Sequence, residues 1–164
     1  MLPEIVQKMP WTADFEIHHS HPRTVTVLDN SNGEDTASVI NAAFSVVVTT
    51  CVKQNLFHVL DGQHSEPFAV VGARYDQPVY VERFATALFG LTTRGAHLVA
   101  YQMDQDDMKV WVPCRSDHLY TYPNMLDTTV AGGVKSGVSP FQTIVEEAEE
   151  EASLPEDLIR QKAL

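Results

Sequence analysis

The stretch SPFQTIVEEAEEEASL, residues 139–154, sets the reading of this chain. Its start carries helix signals: Ser139 suits the N-cap, Pro140 the first helical position, and Gln142 the third, completing a capping box. Phe141, Ile144, Val145, Ala148 and Ala152 follow at spacings of three and four, an apolar stripe that must pack on a core. Five of the six residues 146–151 are glutamates. Glu147, Glu150 and Glu151 fall at i, i+3 and i+4, so they share a face. Like charges at this spacing repel, and no lysine or arginine lies within the segment to offset them. A divalent cation turns that repulsion into coordination, because hard cations prefer carboxylate oxygens. Taken alone, the segment also reads as a solvated acidic helix.

Upstream, Thr128-Thr-Val-Ala131 reads as a short strand leading into a Gly132-Gly133 turn. A strand, a glycine turn and a capped acidic helix together describe a metal site with backbone groups close to a phosphate.

The stretch 132–154 resembles a Nudix box, G-x5-E-x7-R-E-U-x-E-E-x-G-U with U aliphatic. With Gly132 as the box glycine, Glu147 falls on the glutamate of the R-E pair and Ala148 on U. Glu150 and Glu151 fall on the E-E pair, and Leu154 on the last U. Val138 stands where the pattern has its first glutamate, Glu146 replaces the arginine, and Ser153 replaces the last glycine. The resemblance implies that Glu147, Glu150 and Glu151 bind Mg²⁺ or Mn²⁺ and that one of them positions or deprotonates the attacking water. Outside the box, LFHVLDGQHSEPFAVVGA, ERFATALFGLTTRGAHLVAY, MKVWVPCRS and MLDTTVAGG resemble the fungal Nudix branch labelled thiamine pyrophosphokinase-related. That branch implies hydrolysis of thiamine diphosphate or its oxidised analogues to the monophosphate, with oxidised nucleoside diphosphates as the alternative substrate.

The fold implied is α/β (α+β): a Nudix-type α/β/α sandwich with a mixed sheet, expected to be incomplete at the C-terminus. A family-specific N-terminal region, residues 1–92, precedes the first part of the Nudix domain, residues 93–164. A second helix is expected from Pro155 at N1, with Glu156 and Asp157 in its first turn.

Further along the chain, residues 1–35 look polar and turn-rich, with Pro3, Pro10, Pro22 and the Asn30-Ser-Asn-Gly33 cluster. His18, His19 and His21 read as surface histidines. Residues 37–52 form a buried helix or strand, undecided by periodicity; the most apolar part, residues 39–52, is too short for a membrane span. Short apolar runs at 57–60 and 68–71 are bounded by Gly62 and Gly72. Residues 79–89 have helical spacing, with Gly90 placed to end the helix. Runs 97–102 and 108–113 form a hairpin around the acidic turn 104–107. The loop 115–124 follows; Arg94, Arg115, Tyr120 and Tyr122, with Gly132 and Gly133, are the candidates to meet substrate.

Composition bounds the class. With 22 acidic against 11 basic residues and a net charge of −11, a free-standing nucleic-acid binder is disfavoured. The partner expected is a small-molecule diphosphate, with no nucleic acid and no membrane. Two cysteines are too few for a disulfide framework, so a cytoplasmic, reducing setting is expected. Cys114 and His118 lack a second ligand pair at zinc-site spacing. GGVKSG is not a phosphate-binding P-loop, because Val134 separates the glycines from Lys135. No G-x-S-x-G is present for a serine hydrolase. A Nudix-fold binding module without turnover is the remaining rival.

Overall fold

The computed structural model describes residues 1–60 and 66–163. Gly62, taken above as a boundary, and Leu164 lie outside the described residues. The chain divides into two compact units: Met1–Thr93 with Lys135–Gly137, and Arg94–Val134 with Val138–Leu164.

The first unit opens with helix α1 (Pro3–Lys8) and the antiparallel strands β1 (Phe15–His18) and β2 (Thr24–Val27). This corrects the expectation of a merely turn-rich start. Phe15 lies opposite Val27 and Ile17 opposite Val25: the strand period is present, but in runs too short to stand out between the prolines. Between β2 and the next helix, the Asp29 carboxylate accepts from Ser31 N and Oγ, Gly33 N and Thr36 Oγ1. The Ser31 and Thr36 side-chain bonds lead in drawing its pKa down to about 2.

Residues 37–52 resolve as helix, α2 (Thr36–Lys53). At 18 residues, with a mean hydropathy of 1.4, it is long and apolar enough to cross a membrane by length and composition alone, contrary to the expectation that the stretch is too short. Here it is a core helix. Ala43, Val47, Val48 and Cys51 face Met9, Phe15, Val81 and Phe89. Phe44 sits edge-on to Phe15 and Phe89, with ring centroids 5.9 and 4.9 Å away. The Cys51 thiol is buried beside Met9 Sδ at 3.5 Å, and burial pushes its pKa up.

Strands β3 (Pro67–Ala69) and β4 (Tyr80–Glu82) pair antiparallel, and only then does a short helix, α3 (Ala85–Phe89), begin. The helix expected over 79–89 is therefore half strand. Val81 is buried opposite Phe68, and Asn41 of α2 ties β4 down by accepting from Tyr80 N and donating to Pro78 O. Gly90 does end α3, at φ 68°. The Glu66 carboxylate joins Lys135 and Arg83. Burial alone would raise its pKa, but the Lys135 hydrogen bond and the two positive charges hold it lower.

The second unit has strands β5 (Gly95–Leu98), β6 (Tyr101–Asp104), β7 (Asp107–Val110) and β8 (Val130–Gly133), then helices α4 (Pro140–Ala152) and α5 (Glu156–Lys162). The expected hairpin exists as β6–β7, turning through Gln105 at φ 58°. It is shorter than expected, because residues 97–98 leave it to pair with β8. Its alternating Met108 and Val110 mark a strand, yet both are exposed. The core of this unit is Ala96, Val130, Ile144, Val145, Ala148 and Ile159. Burying each branched side chain contributes about 1.5–3 kcal/mol.

Helices and strands are interspersed along the chain, consistent with an α/β Nudix-like fold, and among the described residues the strands pair as two-stranded antiparallel sheets.

Candidate functional site

The site is built by β8 and α4. Helix α4 begins as its sequence requires: the Ser139 hydroxyl accepts from Gln142 N at 3.0 Å and Pro140 takes the first turn. The reciprocal half of the capping box is not made. The Gln142 side chain instead donates to Glu146 Oε1 and accepts from Arg160 Nη2 of α5. Arg160 also pairs with Glu156. Helix α5 is capped by Pro155 rather than started by it.

Gly132 and Gly133 do not form a turn. Both lie in β8, opposite Ala96 and Gly95, and the reversal comes later, around Gly137 at φ 82°. A glycine pair signals a turn locally, but here pairing with β5 decides its conformation.

The absence of a side chain at Gly132 has a specific use. Strand alternation puts Val130 and Gly132 on the same face of β8. Val130 is fully buried with Val145 and Ala148 of α4. A Cβ placed on Gly132 would lie 2.4 Å from Glu147 Cγ, 2.5 Å from Oε1 and 2.6 Å from Cδ. The Glu147 side chain thus occupies the notch that glycine leaves. One turn further on, Glu151 Oε2 accepts from Ala131 N in a long contact of 3.4 Å. Two carboxylates of one helix face therefore meet consecutive residues of one strand.

The other expected site residues are placed less closely. Glu150 is exposed. Among the described residues no group of three His, Cys, Asp or Glu side chains converges as it stands to hold a metal ion. Arg94 begins the second unit, its carbonyl accepting from Val134 N. The Arg115 guanidinium is engaged within its own loop, donating to Asp127 Oδ2 at 2.6 Å and to Thr121 O at 3.0 Å. That hydrogen bond lowers the Asp127 pKa. Tyr122 stands on the same loop at φ 51°, 72% exposed. Sequence reasoning missed Arg160, whose tie to Gln142 depends on how α5 folds back.

Ser153 occupies the box position that resembles a glycine, and it adopts the conformation glycine favours. Its φ is 52° and its N–H donates to the carbonyls of Ala148 and Glu149. A left-handed residue with a Cβ costs about 1–2 kcal/mol. Ser153→Gly is therefore expected to stabilise the protein by about 0.5–1 kcal/mol, the remainder being offset by the added freedom of glycine in the unfolded chain. Chemical denaturation of both forms checks this; an unchanged or lowered midpoint would contradict it.

Comparison with known proteins fits this geometry. No family model matches the chain. It is 39% identical over 83 residues to an uncharacterized protein of Saccharomyces cerevisiae, covering 49% of this chain and 24% of that protein. It is 36% identical over 99 residues to Nudix hydrolase 20, chloroplastic, of Arabidopsis thaliana, covering 58% of this chain and 26% of that one. Nudix hydrolase 24, chloroplastic, of the same plant is 34% identical over 99 residues, covering 58% and 27%. The matches span about a quarter of each relative's length. Over these 99 residues the chain is similar to two Nudix hydrolases.

Proposed function

We propose that the protein hydrolyses a diphosphate linkage in a small molecule, with thiamine diphosphate or an oxidised analogue as substrate and the monophosphate as product. The observation that carries this reading is the seating of Glu147 in the Gly132 notch, with Glu151 one turn away against Ala131 N. It brings carboxylate oxygens and strand backbone to one place.

The donor chemistry fits a hard divalent cation, Mg²⁺ or Mn²⁺, held by Glu147, Glu150 and Glu151. When bound, such an ion neutralises diphosphate charge and makes a coordinated water more acidic. The residues of the chain have separate tasks. Glu147 is fixed by its packing and supplies a positioned oxygen. Glu151, exposed and lightly held, is the group to orient the attacking water or accept its proton. Gly132 leaves the room that the Glu147 side chain needs against the strand. Water adds to one phosphorus, the bridging P–O bond breaks, and the departing oxygen leaves as phosphate or as the organic monophosphate.

A second reading, a binding module that keeps the fold without turnover, draws on Glu146 in place of the box arginine and on the lack of a converged three-donor group among the described residues. The experiment that separates the two incubates the purified protein with thiamine diphosphate, oxidised thiamine diphosphate or an oxidised nucleoside diphosphate. Monophosphate formation is followed with Mg²⁺ and with excess chelator. The enzyme reading expects product with Mg²⁺ and at least about a hundredfold less with chelator. Substrate binding with no product under any metal would favour the module.

A further inference from the structure

The first unit carries an open cleft of about 610 Å³ that the reading above does not use. Its size lies within the range of roughly 300–1,000 Å³ typical of small-ligand sites. Its floor is apolar: Val6 of α1, the cross-strand pair Ile17 and Val25, and Phe89 at the end of α3. The same hairpin face runs from Phe15, which is buried in the core, through Val27 and Val25, which pack half-buried against it, out to half-buried Ile17. The cleft is thus the uncovered end of an otherwise packed apolar face.

The rim has the opposite charge from the chain as a whole. His18, His19 and Arg23 line it, and no aspartate or glutamate does, in a chain with twice as many acidic as basic residues. His18 lies 3.3 Å from Glu16. Arg23 has no ion-pair partner among the described residues. A guanidinium is a bidentate donor suited to carboxylate or phosphate oxygens. An apolar floor with one unmatched guanidinium at its edge selects a ligand with both features.

We infer that this cleft binds a small amphipathic anion: an apolar, ring-sized body lying on Ile17, Val25 and Phe89, with one carboxylate or phosphate group at Arg23. The site belongs to the first unit alone and is independent of the acidic helix.

The test uses three probes with one body and different heads: 1-naphthaleneacetate, 1-naphthyl phosphate and the neutral 1-naphthaleneacetamide. Binding to the whole protein is followed by methyl NMR at Val6, Ile17 and Val25. At least one anion should shift these methyls saturably and bind about tenfold more tightly than the amide. The tighter of the two anions identifies the head group. Arg23→Ala should bring the anion to the affinity of the amide while leaving amide binding unchanged, and Arg23→Lys should keep much of the difference. Arg23 is exposed, and its replacement leaves the core residues untouched. Methyl shifts absent at these positions, equal binding of anion and amide, or an Arg23→Ala form that binds the anion as well as before would each overturn the inference.

Discussion

Replacing Gly132 with alanine is expected to lower diphosphate hydrolysis about 100-fold while the protein still folds. The added Cβ would collide with Glu147 Cγ at 2.4 Å and with the carboxylate beyond it. These atoms belong to a flexible side chain, so the strand need not move. Glu147 must instead swing out of the notch. The folding cost is that of mild overpacking, about 1–3 kcal/mol. The catalytic cost is larger, because displacing a reacting group by about 1 Å can reduce the rate 100-fold. Steady-state rates and melting curves measured on the same preparation separate the two. A Gly132→Ala protein with wild-type turnover would remove the packing argument for the site.

The second large effect is expected at Glu151. Glu151→Gln keeps the shape of the side chain and removes its charge. Its one described polar contact is the long one with Ala131 N, and an amide oxygen can replace the carboxylate there. Turnover should fall by about 10²–10⁴-fold, the usual range for loss of a proton-transfer group. Thermal stability should hold or rise slightly, because one like-charge pair with Glu147 disappears from the helix face. Activity lost with stability kept is the signature of a catalytic role. A drop in melting temperature that matches the loss of activity would mark Glu151 as structural, and unchanged Mg²⁺-dependent product formation would remove it from the mechanism.

Much of the site could be read from residues 139–154 alone. Ser139 caps α4 as its position implies, Ile144, Val145 and Ala148 turn inward, and Glu147 and Glu151 share a face that meets β8. Those features depend on neighbours three or four residues apart, which sequence periodicity records directly. What escaped is long-range. Gly132 and Gly133 look like a turn until β8 pairs with β5, about 35 residues earlier in the chain. The notch that receives Glu147 exists only after that pairing. Residues 79–89 carry a helical pattern, but Asn41 and Phe68, far away in sequence, secure Val81 as a strand residue. The 1–35 segment conceals a hairpin because each strand offers only two inward side chains. Gln142 satisfies the letter of a capping box, yet Arg160 draws its side chain elsewhere.

The contact between Glu151 and Ala131 N has a meaning apart from chemistry. Among the described residues β8 pairs only with β5, which leaves its other side with backbone donors to satisfy. Such a border invites a strand from another molecule. The Glu151 carboxylate takes up the Ala131 donor that an incoming carbonyl would need, and the acidic helix brings repeated negative charge to the same border. An added strand would therefore have to displace the Glu151 side chain before it could pair at Ala131.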